Sequence, residues 1–584
     1  LKIPWPVMAV RVRVPLAAQN LINNTFIMRN HLIFSLSACS MLLLASCSKM
    51  GPLSADNFSV DPNPLEAIGG KVPATIDGTF PVKYMKKKAV VTVTPELRYG
   101  NGLVTKGNGA TFQGEKVQGN NQTISYKMGG KYTMKTAFPY NADMAQSEMY
   151  LTFDARKGNK VYNVPAVKVA NGVIATAELY KKTMDNAGAC IAPDSFQRVK
   201  DQKVQANVKF LINQANLRKS ELKNNSVKEF VKMLKSINAD RKGLNMKNVE
   251  VAAYASPDGG FAFNDKLSKN REKVSTKYVN KQLKAAKLGG TDVDAHYTAQ
   301  DWEGFKELVS ASNLQDKDVI LRVLEMYKDP AERESQIKNM SEGFRELATG
   351  ILPELRRSRL IINYQTVGRS DDEINEQYAA DPSKLSEDEL LYAASLTNDA
   401  SKKAEIYQKA SELNNTDYRS LNNLAALAFN RGDMNAAKQY IAEAQTKGNA
   451  PEAYANLALI ALKNGNTSEA ESYIAKANDA NGLSEVLGNL NIAKGDYAQA
   501  VKNFGNSATN SAALAQLLTK DYATALSTLN NVKNADGMTE YLKAIVNNRM
   551  GNTSAAKAAL DKAKKLDKTL AAYASKDLEL ANLK

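Results

Sequence analysis

The sequence predicts a multidomain chain in which an all-β domain is followed by an α/β domain and then by an all-α array of helical repeats. Three observations carry this expectation. Period-two apolar alternation broken by Gly, Asn and Pro turns fills residues 71–182. A strand, a glycine-containing turn and a long helix occupy Val249 to Val274. From Gly432 onward, a short turn followed by an alanine recurs at near-regular intervals. The chain has 584 residues, and roughly 150 residues per domain gives three or four domains. It is 43% apolar and 24% charged, ordinary values for a globular protein. The net charge of +16 calls for a polyanionic neighbour, whether nucleic acid, an anionic membrane face or another polyanion.

The first fifty residues choose among these. Met28 to Cys47 reads MRNHLIFSLSACSMLLLASC, with Arg29 as a short positive region and Leu32 to Leu44 as an apolar run. That run is 13 residues long, too short to span a bilayer permanently. Leu44-Ala45-Ser46-Cys47 resembles the lipobox of bacterial lipoproteins, which implies a signal peptide over residues 28–46 and lipidation of Cys47. Ser48 and Lys49 resemble outer-membrane sorting, which implies a lipid anchor in the outer membrane on its periplasmic face. Residues 1–27 precede that signal and are expected to be a start-site artefact. Of the three cysteines, Cys39 lies in the signal and Cys47 carries the lipid. Cys190 is left without a partner for an internal disulfide and reads as a small apolar residue.

Residues 47–70 read as the lipidated cysteine and a polar tether containing Pro52, Pro62 and Pro64. Residues 71–182 follow as short strands such as Ala89 to Thr94, Gln122 to Tyr126 and Met149 to Phe153, with turns at Asn101-Gly102 and Gly129-Gly130. Strands of this spacing indicate an Ig-like β-sandwich. Lys86-Lys87-Lys88 reads as an exposed edge or a solvated turn. Residues 183–203 are expected to be a linker.

Residues 204–367 read as alternating strands and helices. The strand Val249 to Tyr254 enters a Pro-Gly turn, and a helix is expected from Asn264 to about Ala286. At about 100° per residue, Asn264, Ser268 and Arg271 share one stripe of that helix. Near a helix N-terminus, such groups favour an anion, and Arg suits a carboxylate. Asn264 also reads as a simple N-cap and Arg271 as a structural ion-pair partner. The run Asn264, Leu267, Ser268, Arg271, with Leu355 to Ile362 as a closing basic strand, resembles the OmpA-like peptidoglycan-binding family. The resemblance implies a pocket in which Arg271 holds a stem-peptide carboxylate and an acidic residue of the turn neutralises an ammonium. Ser256 stands where the family has its Asp, and Asp258 is the candidate replacement. Candidate peptidoglycan-binding residues are therefore Ser256, Asp258, Asn264, Ser268 and Arg271. Helical residues from Asp301 to Gly350 exceed the usual third helix. Asp292, Asp294 and His296 alternate onto one strand face and read as solvated rather than as metal ligands.

Residues 368–384 are expected to be a second linker, and residues 385–584 a solenoid. Gly432-Asp433, Gly465-Asn466, Gly495-Asp496, Lys520-Asp521 and Gly551-Asn552 are each followed by an Ala at the same offset. The spacing, with small residues where paired helices meet, resembles tetratricopeptide repeats, although their usual Trp and final Pro are missing. Such repeats imply a concave surface for a protein or peptide partner.

No nucleophile–base pair, metal cluster or phosphate loop is visible, and the chain has only two His. A non-enzyme without cofactors is expected. Export and the lack of a basic, aromatic-bearing surface argue against nucleic acid. The leading expectation is a lipid-anchored envelope protein that tethers the outer membrane to peptidoglycan and scaffolds a protein partner through its repeats. The alternative is an assembly or secretion accessory lipoprotein whose OmpA-like fold no longer binds peptidoglycan.

Overall fold

The computed structural model describes residues 50–583. Cys47, the signal segment 28–46 and residues 1–27 lie outside the described residues. The fold divides into two compact units. One runs to Ala187 and takes up Ala461–Thr467 and Ser484–Lys584; the other is Gly188–Ile460 with Ser468–Leu483.

In the first unit the sheet-rich region contains nine strands: β1 (Phe58–Asp61), β2 (Lys71–Phe80), β3 (Val90–Tyr99), β4 (Leu103–Lys106), β5 (Ala110–Gly114), β6 (Gln122–Ile124), β7 (Gly130–Pro139), β8 (Ser147–Lys157) and β9 (Lys160–Gly172). One sheet is ordered β1-β2-β7. The other is ordered β6-β5-β3-β8-β9, with β4 paired to β3. Alternation along β2 buries Val72, Ala74, Ile76 and Phe80 in the same core as Val91, Val93 and Leu97 of β3. Each of these side chains larger than alanine contributes about 1.5–3 kcal/mol when removed from water. The segment expected as a tether is, from Met50 onward, part of this body. Residues Phe58–Asp61 add an edge strand, and Leu65 and Ala67 are buried in the core. Pro62 and Pro64 follow the strand directly and masked its short signal.

The second unit holds β10 (Val199–Lys209), β11 (Leu244–Tyr254), β12 (Val293–Thr298) and β13 (Arg357–Val367), ordered β10-β13-β11-β12. β11 and β12 are parallel, and β13 runs antiparallel to both β10 and β11. The helix Asn225–Ala239 joins β10 to β11, and the helix Phe261–Ala285 joins β11 to β12. Asn224 caps the first, its side chain accepting from the Val227 N–H at 2.8 Å. Val227, Phe230 and Leu234 of that helix and Val279 and Leu283 of the second cover the sheet residues Val249, Val251, Leu360 and Ile362. Between β12 and β13, short helices from Trp302 to Leu355 enclose a separate core around Phe305, Val309, Ile320 and Leu347.

From Asp371 every described element is helical. The segment expected as a second linker contains the helix Asp371–Ala380, capped by Ser370. At the repeat turns, Gly432, Gly465, Gly495 and Gly551 take φ of 79°, 77°, 83° and 80°. There the chain leaves one helix through a left-handed residue, a position that suits glycine. Asp433, Asp496 and Asp521 then cap the next helix by accepting from the N–H groups of Ala436, Gln499 and Thr524. Lys520 occupies the glycine position of its repeat with φ 67°.

Candidate functional site

The strand–turn–helix begins with Tyr254 at the end of β11. The helix starts at Phe261, with Gly260 as its N-cap, rather than at Asn264. A glycine cap has no side chain to announce it, and Asn264 lies one turn inside. This shift changes the chemistry. Asn264 does not present its amide to an incoming anion. Its Nδ2 donates to the carbonyls of Ser256 and Gly259 at 2.9 and 3.0 Å and closes the turn from below. Ser268 Oγ donates to the Asn264 carbonyl at 2.7 Å, the back-bonding available to a hydroxyl inside a helix.

Arg271 is 1% exposed. Its Nε donates to the carbonyl of Gln214 at 3.0 Å, Nη1 to that of Tyr254 at 2.8 Å and Nη2 to that of Leu211 at 3.3 Å. The guanidinium carbon also lies 5.0 Å from the centre of the Phe210 ring. Burial draws its pKa down to about 10; Arg356 adds to the shift and Asp258 opposes it. The guanidinium therefore fastens the loop after β10 to the end of β11.

Asp258 accepts from Ser256 Oγ and pairs with Arg356, whose Nη2 lies 3.2 Å from Asp258 Oδ2. Arg356 Nε also donates to Ser256 Oγ at 3.3 Å. Beside this cluster, Arg357 pairs with Asp301 at 3.1 Å, both buried. Burial lowers the Arg357 pKa and raises that of Asp301, so desolvation outweighs the mutual attraction of the pair. Pro257 and Asp258 share with Trp302, Phe305, Ile337 and Leu352 a recess of only ≈ 10 Å³, too small for a peptide or sugar. All five candidate residues are thus brought together, but their polar atoms are used by one another and by the backbone. Arg356, the carbonyls of Leu211 and Gln214, and Gln300, whose Nε2 donates to the Gly259 carbonyl at 2.9 Å, were missed as site residues, because they come from distant parts of the chain.

His296 stands on β12 with Nε2 3.5 Å from Glu250 Oε1. Cys190, expected in a plain linker, belongs to a second ordered site. Asn456 accepts from the Cys190 N–H at 2.7 Å and donates to its carbonyl at 2.9 Å. Asn423 grips Ala192 in the same way, at 2.8 and 3.1 Å. Asn422 Nδ2 adds a bond to the Cys190 carbonyl at 3.0 Å, and Asn481 Nδ2 one to Ile191 at 2.9 Å. Arg419 Nη1 donates to the Asp194 carbonyl at 2.9 Å. Ala189, Cys190 and Ala192 are buried while Ile191 is exposed, so small side chains face the helices Arg419–Asn430 and Pro451–Lys463. In the other unit, the helix Tyr180–Ala187 packs on the helix Asn510–Leu518, with Thr183 and Ser511 hydroxyls 2.8 Å apart. The linker is a bound segment without regular secondary structure, because paired amides read a backbone that periodicity analysis ignores.

Residues 451–482 match the tetratricopeptide repeat family. No curated protein matches the chain. Among solved structures, a tetratricopeptide repeat protein from Parabacteroides merdae ATCC 43184 is 14% identical, over 34% of this chain and 85% of that one, with a TM-score of 0.25. The APC/C hetero-tetramer Cut9-Hcn1 is 14% identical over 56% of this chain and 76% of that one, with a TM-score of 0.29. YrrB, described as a TPR protein with an unusual peptide-binding site, is 17% identical over 35% of this chain and 100% of that one, with a TM-score of 0.18.

Proposed function

We propose that this chain is a lipid-anchored envelope scaffold that organises protein partners through its repeats and whose OmpA-like fold has become a structural body without a peptidoglycan ligand. The anchoring part rests on the lipobox at Cys47, and the reading of an outer-membrane, periplasmic-face location on Ser48 and Lys49 after it. The OmpA-like reading rests on the order strand, helix, strand, helix, strand and closing basic strand, and on Asn264, Leu267, Ser268 and Arg271. The Ig-like reading of the N-terminal sheets rests on their strand spacing and shared core.

One observation favours the ligand-free form over peptidoglycan tethering. Arg271 is buried and donates to three backbone carbonyls. To grip a carboxylate it would have to give up these three hydrogen bonds, each worth about 0.5–1.5 kcal/mol, with the Gln214 N–H left to serve the Leu211 carbonyl. Asp258 is likewise held by Arg356. The side chains of Arg419, Asn422, Asn423, Asn456 and Asn481 already hold the segment around Cys190, so partner recruitment in this reading uses other surfaces of the repeats.

Co-sedimentation with purified sacculi tests this. Wild type, Arg271→Ala and Asp258→Ala are expected to stay in the supernatant alike. Sedimentation of wild type that Arg271→Ala abolishes would refute the proposal and restore the tethering function.

A further inference from the structure

The face of the middle domain turned away from its sheet carries charge without partners. Along the helix Phe261–Ala285, the buried stripe is Asn264, Ser268, Arg271, Ser275, Val279 and Leu283. Diametrically opposite lie Lys266, Lys269, Lys273, Lys277, Lys281 and Lys284, all exposed. Their spacing of three or four residues confines them to about 120° of the helix circumference, over roughly 27 Å of its length. The adjacent helix Asn225–Ala239 repeats the pattern with exposed Lys228, Lys232 and Lys235 opposite its buried Val227, Phe230 and Leu234. The two helices touch and share one core, and right-handed crossovers in the same direction place both on one face of the sheet.

None of these nine lysines pairs with a carboxylate among the described residues. Elsewhere in the same domain lysines are neutralised: Lys209 by Glu354, Lys242 by Glu373 and Lys247 by Asp201. Like charges three and four residues apart destabilise a helix, and a Glu at any of these positions would relieve the repulsion. Asp265 and Glu272 lie about 40–60° from Lys269 at one edge of the stripe, and Glu229 stands three residues before Lys232, yet none of the three forms an ion pair with these lysines. A local rule broken in five successive lysine pairs of one helix marks a surface kept for a ligand.

We propose that this two-helix face docks on the surface of an anionic phospholipid bilayer. Both helices pack on one face of the sheet and turn their lysines away from the shared core, so the charges form one outer layer that complements an array of phosphates. Phe263, 52% exposed at the start of the same stripe, supplies a ring for the interfacial zone. The attraction is independent of a lipid on Cys47 and is screened by salt.

The test uses the full chain carrying Cys47→Ser, so that no attached lipid contributes, sedimented with phosphatidylcholine vesicles with or without phosphatidylglycerol. The probe variant combines Lys269→Gln, Lys273→Gln, Lys277→Gln and Lys281→Gln. A charge-matched control combines Lys557→Gln, Lys565→Gln, Lys568→Gln and Lys576→Gln, all exposed on the last helices. Wild type is expected to bind only the anionic vesicles, and less in high salt. Each lysine at such a surface is worth about a factor of five, so the probe variant should lose two to three orders of magnitude of partitioning. The control should lose less than about a tenth of that. Equal losses in both variants, binding that ignores lipid charge, or stripe-dependent binding to inorganic polyphosphate without vesicle binding would each overturn the proposal. Circular dichroism of both variants checks that they are folded.

Discussion

Replacing Asn456 with Ala should release the segment around Cys190 that the repeat helices hold. The Asn456 side chain is 1% exposed and makes three hydrogen bonds: from the Cys190 N–H at 2.7 Å, to the Cys190 carbonyl at 2.9 Å and to Asn422 Oδ1 at 3.0 Å. Alanine leaves the buried N–H without its acceptor, at about 1–3 kcal/mol, and removes two further bonds worth about 0.5–1.5 kcal/mol each. The carbonyl keeps Asn422 as a donor at 3.0 Å, which limits the total to roughly 3 kcal/mol. That changes the open population of the segment about a hundred-fold. Cys190 reports it directly. In a chain with Cys39→Ser and Cys47→Ser it is the sole thiol, and at 4% exposure it reacts only when the segment lifts. With fast reclosing, the labelling rate follows the open population. Asn456→Ala should label about a hundred times faster than wild type. Asn489→Ala, which removes an equally buried amide that bonds to Glu485 in its own helix, should stay within about three-fold. An Asn456→Ala rate within that same margin would refute the view that paired amides hold the segment.

Three further outcomes follow from the geometry. Arg271→Ala should cost about 1.5–3 kcal/mol in urea unfolding, because it removes three hydrogen bonds to backbone carbonyls, of which that of Leu211 keeps the Gln214 N–H. Arg271→Lys should recover less than half, since a single ammonium cannot reach all three. Lys520→Gly should raise the urea midpoint by the equivalent of about 0.5–1 kcal/mol, the left-handed strain at φ 67° exceeding the entropy a glycine adds to the unfolded chain. Glu387 is pushed up to about 7, chiefly by burial and then by Asp417. A raised carboxylate pKa means that its contribution is present at pH below the ordinary carboxylate range and is lost as pH rises toward 7. The melting temperature of wild type should therefore fall across that window relative to Glu387→Gln, and parallel curves would exclude the assignment.

Local patterning made the class of each region legible. Alternation in Ala89 to Thr94 and Met149 to Phe153 marked strands that the structure contains. The repeat turns were visible as well, since a left-handed helix exit followed by a cap needs a Gly-Asp or Gly-Asn pair. Boundaries failed where the deciding group has no side-chain signature. Gly260 starts a helix without a capping side chain, and Phe58–Asp61 is held as a strand by β2 while lying next to Pro62 and Pro64.

For the middle domain, the spacing of Asn264, Ser268 and Arg271 by itself determined that they share one helical stripe, because that follows from 3.6 residues per turn. It equally determined that the six lysines occupy the opposite stripe. What each stripe meets was decided only by tertiary structure. Arg271 is filled by carbonyls of Leu211 and Gln214, Asp258 by Arg356 and the backbone of Cys190 by Asn456. These partners lie between about 57 and 266 residues away in the chain. Hydrogen-bond capacity is written in a residue's type, but whether it remains for a ligand depends on which distant groups the fold brings within hydrogen-bonding distance.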